Sequence, residues 1–473
     1  MGVANWHRIP CDPFCNLTDH RRLPPEKLQT IPAAAFAIVR TLRKAGHEAL
    51  LAGGCVRDLL LGRPCHDFDI ATSAPPEIVG KLFPKTLPVG VQFGVVVVVL
   101  HGEPYQVATF RRETGYEDGR HPGQVIFTHA AEDASRRDFT INGLFLDPES
   151  GEILDYVQGC RDLSERIIRA IGDPNSRFAE DHLRLLRAVR FAACLGFPMD
   201  AETWKALVRN AGLISTVSPE RIREELVKIL ESPGRVRGLD LLESSGLLQK
   251  ILPGIQALRG CTQPPDFHPE GDVYIHTRLM LALSADNASL PLLLAILFHD
   301  AGKPATRQVD ESGRIRFNGH ERVSTEMAEA ALRRLRFSNP IIEQTCEIIR
   351  HHMSFKDVRQ MRTAKLKRFL SRATFPDELE FHRLDCLGSH GLLDNHTFLL
   401  QKQAEFASEP LIPPSLVNGH DLIAMGIKPG PVIGELLEVV QTAQLEGQLS
   451  DRESALEYAK AKAEERGYPA QKK

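Results

Sequence analysis

Strand-forming sequence is concentrated before about residue 178 and nearly vanishes after it, and that asymmetry restricts the possible folds more than any other feature of the chain. In the first part, Ala49–Ala52 reads as a short strand and Asp67–Ile70 as a second. Val91–Leu100 and Pro104–Arg111 read as a hairpin turning at His101-Gly102-Glu103. A helix is expected from Pro32 to Gly46, because Ala35, Ile38, Val39 and Leu42 make one apolar stripe. Beyond residue 178 the periodicity is that of amphipathic helices. The expectation is an α+β chain: a head built on a mixed sheet, then a long helical body.

A chain of 473 residues is too long for one core. The sequence divides into an irregular, Pro-rich extension (1–30), the head (31–178), a helical neck and body (179–267), a second helical domain (268–395) and a helical tail (396–473). No run approaches the roughly 18 apolar residues of a membrane span. The first twenty residues include His7, Arg8, Asp12 and Asp19 and lack the apolar stretch of a signal peptide. Nine scattered cysteines, of which only Cys11 and Cys15 are close, argue against a disulfide framework and for reduced thiols, hence a cytoplasmic location. A net charge of -3 does not advertise nucleic acid, so any RNA-binding surface must be local.

The densest chemistry is Gly53-Gly54-Cys55-Val56-Arg57-Asp58 followed by Asp67-Phe68-Asp69. Paired glycines between a strand and a helix let backbone N–H groups approach phosphate at a helix N-terminus. Asp67 and Asp69, two apart on a strand, share one face, and two such carboxylates repel unless a cation such as Mg²⁺ lies between them. Alone, the Asp-x-Asp is most often a solvated strand face and the Gly-Gly a turn. Their proximity and order favour a nucleotidyl-transfer site with Mg²⁺. Arg136-Arg137-Asp138 offers two guanidiniums for a triphosphate, with Asp138 to orient them or accept from a ribose hydroxyl. Asp181 and Arg184 are expected as neighbours on a helix that continues through Arg187 and Arg190, presenting acceptors and donors to a base edge. The bland alternative for that pair is a surface ion pair.

These elements in this order resemble the class II CCA-adding enzymes and bacterial poly(A) polymerases, within the polymerase-beta-like nucleotidyltransferases. The resemblance spans roughly residues 30–232 and includes the neck sequence from Ser218 to Glu225. It implies that Asp67 and Asp69 are the catalytic Mg²⁺ ligands. It also implies that Gly53, Gly54, Arg57, Arg136, Arg137, Asp138, Arg187 and Arg190 bind the nucleotide, and that Asp181 and Arg184 read its base. The implied reaction is template-independent addition of CMP and AMP, from CTP and ATP, to the 3′ end of tRNA. Addition of A alone and poly(A) synthesis are the rivals within the class. The pattern departs at Gln106, where relatives often carry Glu. Arg111–Gln124 looks like the family's flexible loop.

A second constellation begins at His299-Asp300-Ala301-Gly302-Lys303, at the end of an apolar helical run. It looks like the HD phosphohydrolase domain fused to some CCA-adding enzymes. Further candidate ligands for a divalent transition metal are His276, His320, Asp385 and either His351 or His352, with His352 preferred. A metal-dependent phosphohydrolase with a degenerate head, or a silent tRNA-binding module, are the readings from other classes. Arg359, Arg362, Lys365, Lys367, Arg368 and Arg372 read as one basic helix, equally a solvated face or a track for tRNA phosphates. Gly426–Gly430 reads as a tight turn between helices, best explained by packing.

Overall fold

The computed structural model describes residues 22–65, 67–88, 93–116, 118–120, 122–264, 271–408 and 410–468. It divides into two compact units, one ending at Pro253 and one beginning at Gly254. The N-terminal extension before residue 22, with Cys11 and Cys15, lies outside the described residues.

In the first unit the expected helix forms over Ala33–Lys44, burying Ala35, Ile38, Val39 and Leu42. β1 (Ala49–Ala52) is buried at all four positions. Then come β2 (Ile70–Thr72), β3 (Thr86–Leu87), β4 (Val95–Leu100), β5 (Glu103–Thr109), β6 (Arg111–Thr114), β7 (Gln124–Phe127), β8 (Leu144–Leu146) and β9 (Ile153–Asp155). Seven of these make one sheet in the order β3-β4-β5-β2-β1-β8-β9. Every neighbour pairing is antiparallel except β2 with β5, so the sheet is mixed, as expected.

The expected strand over Asp67–Ile70 is displaced: β2 begins at Ile70, and only the Asp69 carbonyl reaches β1, accepting from the Ala52 N–H at 2.9 Å. The side-chain alternation survives, with Phe68 buried and Asp67 and Asp69 exposed. The hairpin turns at His101 and Gly102, both with positive φ, while Glu103 pairs with Leu100. That is a two-residue turn, whose backbone twist matches the strands it joins. The segment expected as a flexible loop has paired ends, since β6 and β7 form a separate antiparallel hairpin.

The helix expected through Glu180–Arg190 is broken. One helix, Pro174–Glu180, stops where Asp181 turns extended (φ -139, ψ 105), and the next, Arg184–Leu195, begins three residues later. The cause is local: Asp181 Oδ1 accepts from the Leu183 N–H at 3.1 Å, a side-chain bond that competes with the helical ladder.

Among its described residues the second unit is helical apart from the short pair Gln308–Val309 and Ile315–Arg316 and an isolated bridge between Thr262 and Asp272. Its centre is Leu290–Phe298, buried from Pro291 onward. The basic stretch is not one helix, because a 3₁₀ segment (His352–Gln360) precedes the helix Thr363–Leu370. Arg368 donates to the Thr442 hydroxyl and Arg372 pairs with buried Glu378, so those two cations are tied to the protein. The Gly426–Gly430 turn joins Gly419–Ala424 to Pro431–Leu445 and buries Ile427 among Leu422, Leu436 and Val440. Among the described residues no helix is long and apolar enough to cross a membrane.

Candidate nucleotide and metal sites

Gly53 sits where β1 turns into the helix Gly54–Leu61, with φ +78. The dihedral favours glycine, and the missing Cβ lets Arg137 Nη1 approach to where it would lie 2.8 Å from that atom. Arg57, one turn into that helix, forks onto Asp58 (2.9 and 2.8 Å) and donates to Asn142 Oδ1 at 2.6 Å. Asn142 also donates to Asp138 Oδ1 (3.0 Å), and its carbonyl accepts from Arg137 (3.3 Å). One residue thus ties the glycine turn to the Arg136-Arg137-Asp138 segment.

Asp138 does not orient its neighbouring arginines. Its partner is Arg187, which donates from Nε at 2.7 Å. The two arginines are held instead by Asp133, whose Oδ1 takes Arg136 and whose Oδ2 takes Arg137. Asp133 is 1% exposed. Burial by itself would raise both carboxyls, but the guanidiniums against them overcome it: Arg136 and Arg137 hold Asp133 below its ordinary range, and Arg187, with Asn142, holds Asp138 well below.

Asp181 and Arg184 do not pair. Asp181 meets Arg221, from the neck helix Pro219–Leu230, at 2.9 Å. Arg184 is buried and donates to Glu180 Oε2 (2.6 Å) and to the carbonyls of Arg177 (3.0 Å) and Arg136 (2.9 Å). Arg184 is therefore in hydrogen-bond contact with the Arg136-Arg137 segment, while Asp181 belongs to the neck. Arg190 pairs with Glu225 of the same neck helix at 2.5 Å.

Asp67 and Asp69 project exposed from the segment just before β2. The surrounding protein raises the Asp69 carboxyl and Asp67 adds to the rise, against the lowering by Arg137. Two carboxylates this close together suit a divalent cation. In the parallel register of β2 and β5, Ile70 faces Val107, and one step back Asp69 aligns with exposed Gln106. The amide therefore stands where the resemblance leads one to expect a third carboxylate.

In the second unit, His299, His320 and His352 share a local device. Each Nδ1 lies against the carbonyl three residues earlier, at 2.9 Å (Ile296), 2.8 Å (Phe317) and 2.6 Å (Ile349). A carbonyl only accepts, so each Nδ1 keeps its proton and each Nε2 offers a lone pair. The Nε2 atoms of His320 and His352 are 3.1 Å apart. His299 Nε2 is buried without a hydrogen-bond partner, 3.2 Å from Asp300 Oδ2, which itself meets Lys303 Nζ at 2.8 Å. Lone pairs converging in a buried site are costly unless a cation lies among them.

Two sets, His276-His299-Asp300 and Asp300-His320-His352, each bring ligand atoms within 4.8 Å of one another, with Asp300 common to both. These donors fit divalent transition metal. Burial, with His299 and His320, pushes His352 down to about 3, which keeps it a neutral ligand. Asp385 stands against His276 Nε2 at 3.0 Å and belongs to neither set. His351 turns away to Glu347, so His352 is the member of the cluster. A cavity of about 510 Å³ opens over the cluster, with Lys303, Arg314, Arg316 and Lys356 in its wall.

Sequence reasoning missed Asp133, Asn142, Arg221 and Glu225. Asp133 was within reach, since it stands three and four residues before the two arginines, the spacing of helix neighbours. Arg221 and Glu225 come from about 35–40 residues downstream, and no local pattern announces such pairs.

Four family models match successive stretches of the chain. They are a poly A polymerase head domain (49–169), a "Probable RNA and SrmB- binding site of polymerase A" (196–258), an HD domain (273–374) and a tRNA nucleotidyltransferase domain 2 (414–459). A CCA-adding enzyme of Geobacillus sp. is 49% identical over 214 residues, 45% of this chain and 53% of that protein. A CCA-adding enzyme of Lactobacillus johnsonii is 31% identical over 91% of this chain and 98% of its own length. Among solved structures, the Bacillus stearothermophilus CCA-adding enzyme in complex with CTP is 30% identical with a TM-score of 0.71, covering 92% of this chain and 98% of that one.

Proposed function

The chain belongs to the CCA-adding enzyme family, and on that footing we propose that it adds CMP and AMP, from CTP and ATP, to the 3′ end of tRNA without a nucleic-acid template. The observation that carries this reading is the network on Asn142. It joins the glycine turn, Arg57, Arg137 and Asp138 into one rigid cradle beside the paired aspartates. Arg57, Arg136 and Arg137, with Arg187 and Arg190, bind the nucleotide, already neutralised in part by Asp58, Asp133, Asp138 and Glu225 and so tolerable together. Asp181 and Arg184, held separately by Arg221 and Glu180, are read as the groups that choose the base, which means that each must turn from those partners when the nucleotide binds. Asp67 and Asp69 would hold Mg²⁺, which when bound neutralises the triphosphate and makes the tRNA 3′ hydroxyl a better nucleophile. Gln106, beside Asp69, can hydrogen-bond there without adding charge.

A second activity is supported by the Nε2 atoms of His320 and His352, turned on one another by their carbonyl-bound Nδ1 protons. His276, His299, Asp300, His320 and His352, with Asp385 beside His276 and in the wall of the same cavity, would hold divalent transition metal, which supplies a hydroxide nucleophile when bound. The cationic wall of the cavity suits a phosphate ester, so the site is read as a phosphohydrolase.

The deciding assay uses labelled tRNAs ending before CCA and after CC, with CTP and ATP given singly and together. Full CCA addition requires CTP for the first substrate and completes it only with both nucleotides. Extension of the CC-ended tRNA alone would make the enzyme A-adding, and long adenylate tails would make it a poly(A) polymerase.

A further inference from the structure

Three of the arginines assigned to the nucleotide converge on a single aromatic ring. The guanidinium carbons of Arg57, Arg187 and Arg190 lie 5.1, 5.3 and 4.0 Å from the centroid of Phe191. Each also has its own carboxylate: Asp58 at 2.8 Å, Asp138 at 2.5 Å and Glu225 at 2.5 Å. Phe191 is 5% exposed, and its ring meets Phe139, the residue after Asp138, edge to face at 5.6 Å. The ring therefore stands where three segments meet: the glycine-turn helix, the Arg136-Arg137-Asp138 segment and the helix Arg184–Leu195.

A carboxylate fixes one end of an arginine but leaves the long side chain free to swing about that contact. An aromatic face supplies a second restraint, attracting each cation through the ring quadrupole. It also lets three like charges lie close together without sharing solvent. An aliphatic side chain of similar size fills the same space but has no quadrupole.

We propose that Phe191 is a positioning residue for nucleotide binding, holding Arg57, Arg187 and Arg190 in one arrangement before the triphosphate arrives. The proposal rests on the reading of those arginines as nucleotide ligands. Phe191 is buried, so in this role it acts through the arginines it orders.

The test compares steady-state kinetics for CTP and ATP in the full-length enzyme. Phe191→Leu is expected to raise KM about tenfold for both nucleotides with kcat within about twofold, the signature of lost binding order rather than lost chemistry. Phe191→Tyr, which keeps the ring, is expected to restore most of the KM. Phe197→Leu removes another buried ring just beyond the same helix and is expected to leave KM unchanged. Thermal unfolding checks each variant, and if Phe191→Leu does not fold, Phe191→Met carries the same comparison. Arg57→Ala and Arg187→Ala test the underlying reading. If neither raises KM, that reading fails and takes the proposal with it. If they do while Phe191→Leu does not, or if Phe197→Leu matches Phe191→Leu, the arginine reading stands and the role of Phe191 is overturned.

Discussion

His320 and His352 point their Nε2 atoms at each other across 3.1 Å, and neither has a proton to share there, because each ring's Nδ1 already donates to a backbone carbonyl. Such a contact is favourable only when a cation accepts both lone pairs. His352→Ala is therefore expected to strip transition metal from the purified protein and remove any phosphatase or cyclic phosphodiesterase activity. His351→Ala, whose ring is turned to Glu347, should keep both. Metal analysis of the two variants side by side decides it: full metal content in His352→Ala would remove the site.

The head is expected to work independently of that metal. His299→Ala combined with Asp300→Ala should leave tRNA extension intact. Asp67→Ala or Asp69→Ala should abolish extension while leaving folding and tRNA binding near wild type, because exposed metal-site carboxylates stabilise reaction charge and not the core. Near-normal incorporation by both aspartate variants would refute the active-site assignment.

Asp133 carries two guanidiniums on one buried carboxylate. Asp133→Asn leaves both under-compensated and is expected to cost about 3 kcal/mol of stability, with weaker nucleotide binding. The pH dependence follows from the direction of its shift. Because the folded carboxyl lies below its ordinary range, its contribution is complete above about pH 4 and is lost as pH falls through the folded value. The stability gap between wild type and Asp133→Asn, measured by denaturant titration, should thus narrow on acidification. A gap that stayed constant or widened would show that Asp133 is not the counter-ion.

Arg184→Ala should relax the choice between CTP and ATP by about 1–3 kcal/mol, the usual worth of a guanidinium–base contact. It should also lower the unfolding temperature, since the same guanidinium ties Glu180 to the carbonyls of Arg177 and Arg136. Competition between labelled CTP and ATP on one tRNA reads the first effect. An unchanged preference with lowered stability would make Arg184 a purely structural residue.

Much of this protein is determined by local sequence. The stripe of Ala35, Ile38, Val39 and Leu42 specifies a helix because burial follows the 3.6-residue period. Gly53 is favoured by its positive φ, and the His299-Asp300 pair is placed by the apolar run that ends beside it. What local sequence left open depended on partners distant in the chain. Asp181 and Arg184 have the spacing of helix neighbours, yet one bonds Leu183 and Arg221 while the other bonds Glu180 and Arg136, so the pair never forms. His351 and His352 are equivalent as letters, and only the turn that aims one at His320 and the other at Glu347 separates them. The physical reason is reach: periodicity and propensity act over a few residues, whereas a buried charge takes whichever opposite charge the folded chain brings within hydrogen-bond distance.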